Sequence, residues 1–170
     1  FLFPWRTVWE NVEFGPEVRG FSRQRTKEIV SRHIRLVGLE GFEDRYPHEL
    51  SGGMKQRVAI ARALANEPSV IMMDEPFGSL DALTREAMQV ELLRIWQQNR
   101  LTVIFVTHSI EEAVFLSDRV VVMSRRPGRV RKVFPVHLER PRKRGVVTSM
   151  DFVALVAMVK GLILTEEAHE

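Results

Sequence analysis

The chain has 170 residues, of which 45% are hydrophobic and 28% charged, which is the composition of an ordinary globular protein. It has no cysteine, so disulfides and thiolate metal sites are excluded. The net charge is only +3, but the basic residues are unevenly spread along the chain.

The first part of the chain predicts a helical region. Residues 1–14 are rich in aromatic side chains and contain proline, which predicts a loop, and Gly15 with Pro16 predicts the turn that ends it. Ser22 predicts the N-cap of a helix that runs to about residue 37 with its apolar side chains on one face. Residues 52–65 predict a second helix.

Short apolar runs alternate with helical patterns from residue 69 onward. The predicted strands are 69–74, 101–108 and 118–124, and the predicted helices between them are 82–98 and 110–116. Continuous apolar runs are typical of parallel strands that are buried on both faces. The alternating order predicts right-handed crossovers and an α/β fold with a parallel sheet.

The remaining segments predict an antiparallel return and a final helix. Pro127 and Gly128 suit the centre of a type II turn, after which residues 129–136 return as a strand. Residues 139–145 are interpreted as a basic linker to a helix over 150–164. The apolar part of that helix is shorter than the ~20 residues that span a bilayer, so we expect it to pack on the domain.

Basic residues concentrate in one stretch of the second half. They are Arg125, Arg126, Arg129, Arg131, Lys132, Arg140, Arg142, Lys143 and Arg144. Such a cluster is compatible with nucleic acid or anionic lipid, or with a solvated surface that protects a strand edge. We favour the solvated surface, because no aromatic side chains suited to base stacking are interleaved with the charges.

Polar side chains follow the first two predicted strands. Asp74 and Glu75 end the first strand, and Thr107 and His108 end the second. Ligands of open α/β sheets bind at these carboxyl ends. Asp74 suits Mg²⁺ carried by a nucleotide, Glu75 suits activation of a water, and His108 suits a phosphate oxygen or the orientation of Glu75. Taken singly, each has a structural alternative, such as a turn cap or a structural histidine.

Two further short stretches lie near helix starts. Ser51 can cap the helix that begins at residue 52, and Gly52 and Gly53 leave its first amides unshielded, a geometry that suits a phosphate. A merely capped helix would explain Ser51 and leave the glycines as a stability cost. Asp81 precedes the 82–98 helix and has an N-cap as its structural alternative.

Four of these stretches together resemble the ATP-binding cassette (ABC) ATPases. "LSGGMKQRVAIARAL", "VIMMDEP", "GSLD" and "TH" resemble, in this order, the signature motif, the Walker B strand, the D-loop and the switch histidine. The resemblance covers at least residues 1–125 and implies a P-loop NTPase-like sheet with a helical subdomain. It divides the chain into a helical subdomain (1–66), an α/β ATPase core (67–137) and a basic linker with a C-terminal helix (138–170).

The resemblance also implies roles for single residues. Ser51, Gly52 and Gly53 would contact the γ-phosphate of ATP held by a second ATPase subunit in a head-to-tail dimer, with Gln56 also on the nucleotide. The remaining implied roles are Mg²⁺ binding by Asp74, water activation by Glu75, phosphate sensing by His108 and a link between the two ATP sites by Asp81.

"LFPWRTVWENV" and "SRRPGRV" further resemble importers of the nitrate, sulfonate and taurine class. The implied partners are membrane-spanning permease subunits, contacted near Phe3, Pro4 and Trp5, and indirectly a solute-binding protein. The implied location is the cytoplasmic face of the cell (inner) membrane, where the protein would be peripheral. No nucleic acid is expected.

One departure from the family pattern is large. G-x-x-x-x-G-K-[ST] does not occur in the sequence, and neither do the Q-loop glutamine and the aromatic that stacks on adenine. We therefore expect a fragment that begins after these elements. A non-catalytic module that docks on a permease or on an intact ATPase is the alternative. A DNA-maintenance ATPase is disfavoured, because sustained heptads and cysteines are missing.

Overall fold

The structure, a computed structural model, describes residues 2–167, and their side chains as far as residue 164. Phe1 and residues 168–170 of the predicted C-terminal segment lie outside the described residues. The helices are α1 (Val8–Val18), α2 (Arg23–Leu36), α3 (Gly52–Leu64), α4 (Ala82–Asn99), α5 (Ile110–Leu116) and α6 (Met150–Glu167). The strands are β1 (Val70–Asp74), β2 (Thr102–Val106), β3 (Arg119–Met123) and β4 (Val130–Pro135).

The first helix corrects the predicted loop and turn. Residues 8–18 are helical, and Pro16 lies inside the helix rather than in a turn. The reason is a capping box: the Thr7 hydroxyl accepts from the Glu10 amide at 3.2 Å, and the Glu10 carboxylate accepts from the Thr7 amide at 2.8 Å. The T-x-x-E pattern was the local signal for this helix.

A buried asparagine ties the aromatic loop to α1. The Asn11 amide nitrogen donates to the carbonyl oxygens of Phe3 and Arg6, and its oxygen accepts from the Phe3 amide at 2.9 Å. These bonds satisfy backbone groups that would otherwise be stranded in a partly buried loop. The segment before α1 is therefore ordered against the helix.

The strands form two separate pairs rather than the predicted three-stranded parallel sheet. Among residues 2–167, β1 and β2 are parallel, with Asp74 opposite Val106, and β3 pairs only with β4, antiparallel. The prediction that β3 joins the parallel sheet is wrong, since within the described residues β3 forms a separate sheet with β4. Burial alternates along β1 and β3, so only one face of each strand is covered by residues 2–167.

The turn before β4 also differs from its prediction. A type II turn needs a positive φ at its second central residue, and Gly128 is not among the positive-φ glycines of the described chain. The Ser124 side chain closes the connection instead, because its hydroxyl accepts from the Arg129 amide at 2.9 Å. The predicted antiparallel return over β4 is confirmed.

The predicted linker 139–145 is not a free connection. Arg140 pairs with Asp118 at 2.8 Å. The buried Arg142 donates to three carbonyl oxygens at the end of α5, those of Val114, Phe115 and Ser117. Cations suit the carbonyl end of a helix, although burial lowers the pKa of Arg142 to about 10. These hydrogen bonds and the ion pair hold residues 139–145 against the end of α5, and the stretch then leads into α6.

One continuous hydrophobic core runs from Val8 in α1 to Val159 in α6. α6 packs on α5, in line with the expected packing of the last helix. None of the described helices is long and apolar enough to cross a bilayer. The division at residues 66 and 137 stays a prediction.

Candidate functional site

The carboxyl ends of β1 and β2 lie side by side and turn sharply out of the sheet. The Glu75 amide donates to the Val106 carbonyl at 2.9 Å, and the Gly78 amide donates back to the Glu75 carbonyl at 3.1 Å. Glu75 itself has a φ of +42°, a conformation that side-chain-bearing residues rarely adopt. A strained residue directly after a strand is a feature of functional sites.

This turn brings two predicted site residues into contact. His108 Nε2 lies 2.8 Å from Glu75 Oε1, with side chains that are 86% and 49% exposed. The other carboxylate oxygen, Oε2, has no hydrogen-bond partner among the described residues. Both side chains are therefore paired with each other and still open to a ligand.

Asp74 ends β1 as an exposed carboxylate. Within the described part of the chain it forms no side-chain hydrogen bond or ion pair, so its oxygens are available. No group of three or more potential metal ligands occurs among the described residues. A magnesium ion bound with a nucleotide needs only one or two protein carboxylates, because phosphate oxygens and waters complete its shell. Asp74 fits such an ion.

The start of α3 shows the predicted cap. Ser51 has an extended backbone (φ −66°, ψ 164°), and its hydroxyl accepts from the Met54 amide at 3.3 Å. Gln56 lies half-buried one turn further along α3. The described structure contains no hydrogen bond between the Gln56 side chain and another predicted site residue.

The two glycines of α3 have a structural reason that the sequence did not reveal. A Cβ on Gly52 would lie 3.0 Å from Leu80 Cδ2, and one on Gly53 would lie 2.9 Å from Thr84 Cγ2. The expectation that, without a phosphate, these glycines are only a stability cost is therefore wrong. Their absent side chains let the start of α3 pack against the turn that follows Glu75 and the first turn of α4.

Asp81 is an N-cap, as its structural alternative predicted. It is the N-cap of α4 and accepts from the Thr84 amide at 3.0 Å. Hydrogen bonds from Thr84, side chain first and then backbone, hold the pKa of Asp81 below its usual value. Because Thr84 also faces Gly53, the cap of α4 lies next to the start of α3.

The sequence reasoning missed a buried polar network behind His108. The Thr107 hydroxyl donates to Glu112 Oε2 at 2.5 Å, and Gln89 Nε2 donates to Glu112 Oε1 at 2.9 Å. Glu112 did not stand out in the sequence because it is one of two acidic residues at the start of a short helix. Gln89 did not stand out because it lies in a long amphipathic helix. Only the fold brings them together.

The chain is similar to several known proteins. A sequence model of the family described as ABC transporter matches residues 1–78. An uncharacterised ABC transporter ATP-binding protein of Methanocaldococcus jannaschii is 58% identical over 152 residues, which are 89% of this chain and 56% of that protein. The chain is therefore similar to ABC transporter ATP-binding proteins over most of its own length.

Other relatives of this chain carry more specific names. An aliphatic sulfonates import ATP-binding protein of Bacillus thuringiensis is 49% identical over 91% of this chain and 59% of that protein. The chain spans less than two thirds of the length of these relatives, 56% and 59%.

A solved structure supports the fold of this chain. A dimeric ATP-binding cassette in a post-hydrolysis state, bound to ADP and Pi, has a TM-score of 0.64 and 33% identity. The match covers 81% of this chain and 60% of that one. The predicted α/β class with a parallel sheet is confirmed by this likeness.

Proposed function

We propose that this chain provides the signature motif and the water-activating carboxylate of an ATP-hydrolysing subunit of an ABC importer. The observation that carries the proposal is the 2.8 Å contact between His108 Nε2 and Glu75 Oε1 at the carboxyl ends of β1 and β2. This edge is where ligands of open α/β sheets bind. The complete polypeptide would be an ATPase.

Glu75 acts as the general base. A water oxygen attacks the terminal phosphorus of ATP while its proton passes to the free Oε2 of Glu75. The bond between that phosphorus and the bridging oxygen breaks, and ADP leaves with the electron pair. His108 holds Oε1, so that the carboxylate presents its other oxygen to the water.

Asp74 is the residue that would hold Mg²⁺. When bound, the ion supplies neutralisation of charge on the phosphate oxygens. Asp74 suits this role because its carboxylate is exposed and makes no ion pair among residues 2–164. Asp81, beside the start of α3, is the contact by which the two ATP sites of a dimer would communicate.

The start of α3 binds the γ-phosphate of ATP that a second ATPase subunit holds. Ser51, Gly52 and Gly53 lie at the positive end of α3, where amide groups favour an anion. Gln56, one turn further, would add a polar contact to the nucleotide. The solved relative with ADP and Pi is a dimer, which supports a two-subunit site.

The proposal requires a phosphate loop outside residues 1–170. G-x-x-x-x-G-K-[ST] is missing from the sequence, and the relatives are longer than this chain. A regulatory module without such a loop is the second candidate. The two candidates differ in whether the complete polypeptide binds ATP.

The partners follow from the relatives named as sulfonate importers. We infer a small anionic solute, such as a nitrate, a sulfonate or taurine, delivered by a solute-binding protein. Permease subunits would contact the aromatic loop at Phe3, Pro4 and Trp5, at the cytoplasmic face of the membrane. Nucleic acid is not expected, because Arg140, Arg142 and Arg144 of the basic stretch already have partners within the chain.

The test replaces Glu75 by Gln in the complete polypeptide assembled with its permease. We expect hydrolysis to fall about 10²–10⁴-fold, the usual contribution of a general base, while ATP binding persists. Glu67→Gln is the matched control, because Glu67 is also a positive-φ glutamate but lies at the other end of β1. Unchanged hydrolysis in Glu75→Gln would remove Glu75 from this role. A wild-type polypeptide that binds no ATP would support the regulatory module.

A further inference from the structure

We propose that Glu112 is a positioning residue, which holds the loop 107–109 so that His108 meets Glu75. This inference rests on the proposed ATP hydrolysis by Glu75 and His108. It also gives a role to the segment after β4, because the network behind Glu112 ends on Arg144.

Glu112 binds the residues on both sides of His108. Its carboxylate accepts from the Thr107 hydroxyl at 2.5 Å, and its backbone amide donates to the Ser109 hydroxyl at 3.3 Å. A hydroxyl has one hydrogen, so donation to Glu112 turns a lone pair of Thr107 toward the Ser109 amide, 3.0 Å away. The loop is thereby closed on itself around His108.

The carboxylate is held from behind by an oriented amide. Glu112 and Gln89 are only 5% and 6% exposed. Gln89 Nε2 donates to Glu112 at 2.9 Å, and Gln89 Oε1 accepts from Arg144 Nη1 at 2.9 Å. A guanidinium only donates, so Arg144 fixes which end of the Gln89 amide faces Glu112. Arg144 is itself held by Glu86 at 2.5 Å.

His108 depends on this loop because little else holds it. Its side chain is 86% exposed, and Glu75 is its one polar partner within residues 2–164. The position of the ring is therefore set by the backbone of residues 107–109. A displacement of about 1 Å at a reacting group can lower a rate ~100-fold.

The experiment compares Glu112→Gln with Glu111→Gln in the complete polypeptide assembled with its permease. Both changes remove one carboxylate from the first turn of α5, but Glu111 is exposed and outside the network. A glutamine at 112 would direct its amide nitrogen at either Thr107 or Gln89, both of which donate to this carboxylate. We expect kcat to fall about ten- to a hundredfold in Glu112→Gln with an unchanged KM for ATP, and no such fall in Glu111→Gln.

Thr107 provides a second pair of variants. Thr107→Val keeps the side-chain shape but removes the hydroxyl, and we expect it to lower kcat as Glu112→Gln does. Thr107→Ser keeps the hydroxyl and is expected to recover most of that loss. If Glu112→Gln does not fold, the Thr107 pair carries the test, because its side chain is only half-buried.

Amide exchange measures the loop without catalysis. The Ser109 amide should exchange faster in Thr107→Val and Glu112→Gln than in Thr107→Ser and Glu111→Gln, and by more than the amides of the buried helices, which report global unfolding. Faster exchange with unchanged kcat would overturn the inference, and so would a rise in KM alone. Failure of the proposed function is distinct: it would be hydrolysis that survives Glu75→Gln. Loss in Glu75→Gln with full activity in Glu112→Gln and Thr107→Val would overturn only the positioning role.

Discussion

The starts of α2 and α3 have the same cap but different residues behind it. Ser22 and Ser51 both have extended backbones, and both hydroxyls accept at 3.3 Å from the amide three residues on. α2 continues with exposed, bulky Arg23 and Gln24, whereas α3 continues with two glycines. A serine cap therefore does not need glycine behind it.

The difference lies in what faces each helix start. Leu80 and Thr84 occupy the space where side chains at positions 52 and 53 would lie. Close packing and close approach of a phosphate both require the absence of a Cβ, so the glycines alone do not identify a phosphate site. Experiments on matched positions of the two helices can separate these two demands.

The largest expected difference is between Ser51→Ala and Ser22→Ala. Both should lower the free energy of unfolding by about 1 kcal/mol, because each removes an N-cap. Only Ser51→Ala should also lower ATP hydrolysis by the complete polypeptide, about tenfold or more, the effect of a lost hydrogen bond to a charged group. Urea unfolding and steady-state hydrolysis measure the two effects. Equal hydrolysis in both variants would mean that Ser51 only caps a helix.

The second comparison sets Gly53→Ala against Gln24→Ala, each two residues after its cap. Gly53→Ala should lower the free energy of unfolding by about 1 kcal/mol, within a range of roughly 0–2 kcal/mol, because overpacking costs roughly 1–3 kcal/mol and the gain in helix propensity returns about 1 kcal/mol. Gln24→Ala should change it little, because Gln24 is exposed.

Thr84→Ser sharpens this comparison. It removes the methyl group that a Cβ at 53 would meet but keeps the hydroxyl that bonds Asp81. If the phosphate also needs the open backbone at residue 53, Gly53→Ala should lower ATP hydrolysis as well as stability. In the double variant Gly53→Ala/Thr84→Ser, stability should then recover while hydrolysis stays low. Recovery of both would assign Gly53 to packing alone.

Local signals in the sequence predicted the elements around the site well. The 101–108 and 82–98 predictions match β2 and α4 within a few residues, because apolar runs and the Asp81 cap are encoded locally. The closeness of Glu75 and His108 followed from a general rule, that parallel strands end at the same sheet edge.

Long-range pairing could not be predicted in the same way. Nothing local shows that β3 uses its edge for β4, or that Arg142 turns inward onto the end of α5. The same holds for Gly53, whose partner Thr84 is distant in sequence. Such contacts depend on which elements become neighbours, and one sequence does not reveal that.

A smaller effect is expected at Gly52. Its added Cβ would meet Leu80 Cδ2 at 3.0 Å, the end of a flexible side chain that can move away. Gly52→Ala should therefore change the free energy of unfolding by less than about 0.5 kcal/mol, well below Gly53→Ala. A loss as large as that of Gly53→Ala would show that Leu80 is rigidly held.

The smallest effect concerns the C-terminal end of α2. α2 carries the buried His33 in its last turn. Desolvation by burial lowers the pKa of His33 below its usual 6.5, and the hydrogen bond to the Ile29 carbonyl only partly opposes this. The unfolded chain then binds more protons than the folded chain once the pH falls below about 6.5, so acid favours unfolding.

His33→Leu should remove this part of the acid sensitivity, because it keeps an apolar side chain of similar size without a titrating group. The urea midpoint of the wild type should fall between about pH 7.5 and 5.5, and that of His33→Leu should fall less. His48→Gln is the control, because His48 is exposed and should leave the sensitivity as in the wild type. If His33→Leu keeps the full fall and His48→Gln reduces it, the acid sensitivity does not arise in α2.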